Sequence, residues 1–234
     1  MSNNLPEFSI NSYVTLLKQL QKKYTITNIT DSIQYNFVIY LRHDIDFTLH
    51  GWEIFPVIEN LLNIKSTYYI RTDQYNLLKT ENKKRLQTIL LLDHEIGLHY
   101  NIRNYQQPSW TIDNDIDLLT TICGQEIKTI CMHYPSYDGN DPYLDYKHYI
   151  NPRSKNFPID KYISESSRHW YDNSILDLYT KYSKILLLIH PENWLNGTIK
   201  NRSIYYRKIL LPLIQQDNIN TIDEFLQIID KIGE

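Results

Sequence analysis

Glycine is scarce in this chain, 6 among 234 residues, against a usual share of about 7%, and no low-complexity linker or internal repeat interrupts it. There are two cysteines, Cys123 and Cys131. They form neither a metal-type pair nor a disulfide framework, which points to a reducing compartment. No apolar run approaches the roughly 20 residues of a membrane span. The opening MSNNLPEFSINSYV lacks the basic-then-apolar layout of a signal peptide. Neither sign of charge dominates: 24 Lys and Arg face 27 Asp and Glu, a net charge of -3. That gives no electrostatic footprint for nucleic acid or an anionic membrane. The expectation is a soluble, cytoplasmic protein without a nucleic-acid partner. Tyrosine, at 20 residues, is abundant, but an Asn/Ile/Lys/Tyr excess is the mark of genomic base bias and carries little functional weight.

What recurs along the chain is a short β-like run followed by a helical one. Ile10–Tyr24 places Tyr13, Val14, Leu17 and Leu20 at helical spacing. FVIYLRHDID reads as a strand, HGWEIFPVIENLLN as a helix despite Pro56, and KSTYYIR as a strand. Residues 76–92 read as a helix, HEIGLHY as a strand, DNDIDLLTTIC as a helix with capping acids, and IKTICMH as a strand. KYISES is a further strand, NSILDLYTKY a helix and SKILLLIHP an apolar strand. Two helices, around 202–216 and 221–232, close the chain. The alternation predicts an α/β fold, a parallel sheet or a barrel of βα units. In such folds chemistry gathers at the carboxyl ends of the strands, where HDID, HY, MH and HP all fall.

Residues two apart in a strand share a face, so Asp44 and Asp46 lie together with His43 and Ile45 opposite. Close carboxylates repel unless a cation or a proton intervenes. One reading is a metal-binding acid beside a general base; the other is a strand end neutralised by Arg42 or Arg71. His94 and His99, five apart, face opposite ways and are poor co-ligands. His133 precedes a turn-rich loop, and His190 caps an apolar strand, well placed for a general acid. Glu165 and Trp170 lie where they could wall a pocket. Taken singly, each also reads as ordinary packing.

In order, RHDID, HEIGLHY, MHYPS, SESSRHW and LLLIHPENW resemble the five motifs of the polysaccharide deacetylase superfamily (NodB-homology domains, carbohydrate esterase family 4). They are nearest to the subgroup of surface-polysaccharide and O-antigen loci. The resemblance implies one domain over 1–234, a distorted (β/α) barrel of about seven parallel strands. Its motif core would span 37–194, with N- and C-terminal helices packed on it. It implies Asp44 as general base, Asp46 and His99 as ligands of a divalent metal, zinc first, and His190 as general acid. One position departs: the second metal histidine would fall at Arg103, and a guanidinium cannot bind a cation. His133 is the first candidate to complete the ligands and Glu165 the second; a weakly held metal or lost catalysis are the other outcomes. Arg103, Tyr134, Glu165, Trp170 and Trp194 are expected around the substrate.

The leading expectation is therefore a metal-dependent hydrolase taking an acetyl or other acyl group from an amino sugar or polysaccharide precursor. A nucleotide sugar or a lipid-linked saccharide would be the carrier. A degenerate saccharide-binding barrel is the alternative. A glycosyltransferase using Asp44-x-Asp46 is the third reading, and it leaves HEIGLH and IHPENW unexplained.

Overall fold

The computed structural model describes residues 8–46, 51–106, 110–133, 145–166, 170, 181–194 and 221–232. Seven strands among them form one sheet: β1 (Thr25–Thr27), β2 (Val38–Ile45), β3 (Thr67–Ile70), β4 (Glu95–Tyr100), β5 (Ile130–Met132), β6 (Lys161–Ser164) and β7 (Lys184–Ile189). Every pairing between them is parallel. The order is β5-β4-β3-β2-β7-β6, with β1 also on β2. The sheet curls into a half-barrel, the α/β architecture that the alternation of elements predicts.

Parallel strands need crossovers, and those from β2 to β3, β3 to β4 and β4 to β5 carry helices. Helices α1 (Ile10–Leu20), α2 (Gly51–Leu61), α3 (Thr80–Leu91) and α4 (Ile112–Cys123) lie along the chain between strands or before them. Ser9 caps α1 by accepting from the Ser12 amide at 3.1 Å. Thr111 and Asn114 form a capping box on α4, which ends at Gly124 in the left-handed conformation. The expected helices and strands sit within a few residues of these bounds. β1, only three residues long, had no recognisable sequence pattern. The helix read over 173–182 lies almost wholly outside the described residues, as does the one around 202–216.

β2 is buried along its whole length. β7 pairs with one edge from Val38 to His43, while β1 and then β3 take the other. Its side chains alternate between two environments. Ile39, Leu41 and Ile45 join the large core under the helices, with Leu17, Phe55 and Leu86. Fully burying an aliphatic or aromatic side chain of this kind contributes about 1.5–3 kcal/mol. Val38 and Tyr40 face the inside of the curl, with Tyr69, Cys131 and Leu186. Arg42, Asp44 and Asp46 continue that inner row.

Gly97 of β4 lets this interior close. A Cβ there would lie 2.7 Å from the Tyr69 ring and 2.5 Å from Thr129 Oγ1. The Tyr69 ring occupies that space and supports the Arg42 guanidinium, whose Cζ lies 4.8 Å from the ring centroid.

Under the helices sits a separate buried polar hub. Glu59 of α2 meets His43 Nε2 at 2.6 Å and accepts from Tyr13 Oη at 2.5 Å, Ser66 Oγ at 2.5 Å and Tyr68 Oη at 2.8 Å. His94 belongs to this side, with Nε2 2.9 Å from the Pro56 carbonyl. That separates it from His99, as the five-residue spacing predicts.

Candidate metal and catalytic centre

The inner row of β2 ends in Arg42, Asp44 and Asp46, and the neighbouring strands bring histidines to the same end. The register pairs Asp44 with Tyr69 and Tyr69 with Gly97, so His99 lies two residues further along β4. β5 pairs Cys131 with His99 and delivers His133 just beyond its end. β7 pairs Ile189 with His43 and delivers His190.

His99 is oriented by the backbone. Its Nδ1 lies 3.0 Å from the Cys131 carbonyl oxygen, which can only accept, so Nδ1 carries the hydrogen. Its Nε2 then points inward, 3.3 Å from Asp46 Oδ1, 3.5 Å from Asp44 Oδ2 and 3.1 Å from His133 Nδ1. His133 Nδ1 is in turn 3.1 Å from Asp46 Oδ1. Ligand atoms of Asp46, His99 and His133 all fall within 4.8 Å of one another. Bonds of about 2.0–2.2 Å from one zinc-sized ion can bridge that span.

Asp46 Oδ1 is buried and, despite the two imidazoles, makes no hydrogen bond of acceptable geometry among the described residues. Such an oxygen calls for a cation. Burial alone would raise the Asp46 carboxyl, but His133 and His99 hold it far below the usual carboxylate range. The donor set therefore fits a divalent ion: one carboxylate and two imidazoles.

Asp44 is gripped from within its own strand. Arg42 donates through Nη2 to Oδ1 at 2.7 Å and to Oδ2 at 2.6 Å, and through Nε to Oδ1 at 3.1 Å. Its Nη1 reaches Cys131 Sγ at 2.9 Å. Burial pushes the Asp44 carboxyl up, yet Arg42 and then His99 bring it below its ordinary value. The strand-end ion pair foreseen with Arg42 thus exists for Asp44, while Asp46 faces the histidines.

His190 stands across from this pair, with Nε2 3.9 Å from Asp46 Oδ2. Its Nδ1 lies 3.1 Å from Glu165 Oε2, so Nδ1 carries a hydrogen and donates it. Glu165 is fully buried and also accepts from the His190 backbone N–H, from Asn193 Nδ2 at 2.9 Å and from Trp194 Nε1 at 3.2 Å. Burial works against a charged His190, but the Glu165 hydrogen bond and charge prevail and raise its pKa to about 9.

Not every residue expected at the substrate lies open. Glu165 sits beneath His190 and orients it. Trp170 and Trp194 are buried in the large core, stacked or edge-on with Phe8 at 6.1 and 5.0 Å. Their indoles pack into that core instead of presenting a stacking face. Arg103 lies in the short 3-10 turn after β4 and is exposed. Tyr134 lies outside the described residues. The guanidinium beside the centre is Arg71, whose Nη1 is 2.8 Å from His133 Nε2 and whose Nε and Nη2 bind Asp73 at 3.0 and 2.7 Å. Its proximity to His133 was not anticipated, although alternation already puts it on the face of Tyr69.

No protein-family model matches the chain, and no curated protein matches it. Solved structures similar to it include a mutant of a CE4 family pseudoenzyme with restored enzymatic activity, at TM-score 0.41 and 12% identity. That likeness covers 76% of this chain and 63% of the other, so the chain spans less than two thirds of that relative's length. The peptidoglycan deacetylase PdaC from Bacillus subtilis matches at TM-score 0.40 and 14% identity, over 77% of this chain and 85% of that one. A family 4 carbohydrate esterase from Bacillus anthracis matches at TM-score 0.34 and 11% identity, over 97% and 98%. Among the described residues, no helix is long and apolar enough to cross a membrane.

Proposed function

We propose that this chain is a metal-dependent hydrolase that removes an acetyl or other acyl group from an amino sugar or polysaccharide precursor. One observation carries the reading. Asp46, His99 and His133 offer ligand atoms to a common point, with a clamped carboxylate, Asp44, and an oriented imidazole, His190, at its margins.

A divalent ion, zinc first, held by those three residues would polarise the acyl carbonyl and acidify the attacking water. Asp44, kept anionic by Arg42, takes a proton from that water as its oxygen bonds to the carbonyl carbon. His190 donates its Nε2 proton to the departing nitrogen as the C–N bond breaks, leaving a carboxylic acid and a free amine. Glu165 keeps His190 protonated at neutral pH for that role. Arg103 and Tyr134 are proposed saccharide contacts. A nucleotide sugar or lipid-linked saccharide in the cytoplasm is the proposed substrate, and the whole chain, 1–234, the proposed functional unit.

The contact between Arg71 and His133 favours one second reading, a barrel that binds saccharide with little or no hydrolysis. Acetate release from acetamido sugars with added zinc, for the wild type beside Asp44→Asn, separates the two. Turnover lost in the variant supports the hydrolase. Saccharide binding without turnover in either chain supports the second reading.

A further inference from the structure

The two histidines of the candidate metal centre are oriented in opposite senses. Behind His99 stands a carbonyl oxygen, an acceptor, which fixes a hydrogen on Nδ1 and frees Nε2 for an ion. That is the usual outer arrangement of a metal-ligating imidazole. Behind His133 stands a guanidinium, Arg71 Nη1 at 2.8 Å from Nε2. Guanidinium groups have five donors and no acceptor. For this contact to be a hydrogen bond, His133 must offer the lone pair of Nε2, so its hydrogen is on Nδ1.

A neutral imidazole has one lone pair. If Nε2 gives it to Arg71, then Nδ1 presents an N–H towards Asp46 and His99 and cannot hold an ion. If Nδ1 binds the ion, Nε2 becomes an N–H that opposes the N–H of Arg71. Turning the ring over exchanges the nitrogens without adding a lone pair. Arg71 and the metal are thus exclusive claimants on His133, whichever nitrogen ligates.

Arg71 is also held in place. Asp73 takes its Nε and Nη2, and Asn101 donates to Asp73 Oδ2 at 3.3 Å. Nη1 is the nitrogen that reaches His133, and because the guanidinium is a rigid planar fork, releasing His133 must shift its Asp73 contacts as well.

We propose that Arg71 occupies the His133 lone pair in the metal-free protein and must release it before His133 binds a divalent ion, so that Arg71 sets the metal affinity of the centre. This rests on the reading that Asp46, His99 and His133 are the ligands. A hydrogen bond from a charged donor is worth roughly a ten- to hundredfold factor in an equilibrium constant. Removing it should tighten zinc by that factor.

The experiment compares chelator-stripped wild type, Arg71→Gln and Arg103→Ala, with zinc affinity read by competition against a chromophoric chelator. Arg71→Gln is expected to bind zinc roughly ten- to hundredfold more tightly than wild type, and Arg103→Ala to match wild type. In parallel, imidazole nitrogen NMR of the metal-free wild type should show the His133 hydrogen on Nδ1, moving to Nε2 when zinc is added. This second measurement needs no variant and holds even if Arg71→Gln folds poorly. Equal, measurable zinc affinity in wild type and Arg71→Gln overturns the role of Arg71 and leaves the metal centre standing. A metal-free His133 already protonated on Nε2 does the same. No zinc binding in any chain overturns the ligand assignment and this inference together.

Discussion

Arg42 and Asp44, two residues apart on β2, form a bidentate ion pair inside the half-barrel, with Nη2 2.6 and 2.7 Å from the two carboxylate oxygens. Strand alternation puts both on one face, and the Tyr69 ring beneath Arg42 leaves the guanidinium turned towards Asp44.

Arg42→Met would leave a buried carboxylate without its partner. The expected loss is about 3–5 kcal/mol, the usual cost of breaking one side of a buried pair. The double variant Arg42→Met, Asp44→Asn should recover much of it. Urea unfolding of the four chains of this cycle gives the coupling directly, and additive losses would show that the pair is not a unit.

Glu165→Gln should lower the pKa of His190 from about 9 towards the ordinary histidine value, since the Glu165 hydrogen bond and charge maintain it. The folded value is raised, so its contribution to stability is complete below the unfolded pKa near 6.5. It fades as pH rises through about 9. In the variant that window narrows from its alkaline side. NMR titration of the His190 ring checks this, and the alkaline limb of kcat/KM should move down with it. A packing role alone would leave the titration unchanged.

Glu59 governs the acid side. Burial would raise its carboxyl, but His43, then His94 and Ser66, bring it down to about 2. With a depressed folded value, its contribution is present above the unfolded pKa near 4.3 and is lost as pH falls through about 2. The size is roughly 3 kcal/mol. Glu59→Gln should cost stability at pH 7, and the gap to wild type should shrink steadily below pH 4. Unfolding midpoints across pH 3–7 test the slope; a constant gap would refute it.

Gly97→Ala should destabilise by about 1–3 kcal/mol, the range for forcing an extra carbon into a packed interior. The new methyl must displace the Tyr69 ring or Thr129. Displacing Tyr69 also loosens the support under Arg42. Gly124→Ala, where a Cβ meets nothing within 4 Å but φ is +70°, should be destabilised through backbone strain alone. Thermal melts, with zinc affinity measured on each variant, distinguish disturbance of the interior from strain at a helix end.

Much of this protein was legible in its sequence because it depends on local periodicity. Period-two alternation put Asp44 beside Asp46 and His43 opposite, and the structure keeps that division, with His43 on Glu59 and the acids inside. The separation of His94 from His99 follows from the same rule. The repeated strand-then-helix pattern determined a parallel sheet and, with it, the end where functional side chains gather.

What stands next to what across strands was decided by register and curl, which no single segment encodes. Arg103, just after β4 in sequence, is exposed, whereas Arg71, just after β3, reaches His133. Glu165 reads as a pocket residue until the β6–β7 pairing sets it beneath His190. Trp170 and Trp194 read as sugar-stacking surfaces until Phe8, far away in the chain, packs against both. The sequence alone determined which side chains share a face of a strand, because that is fixed by backbone geometry within a few residues. Only the tertiary structure decided which side chains meet across strands, as Arg71 meets His133 and Glu165 meets His190, because those contacts join residues tens of positions apart.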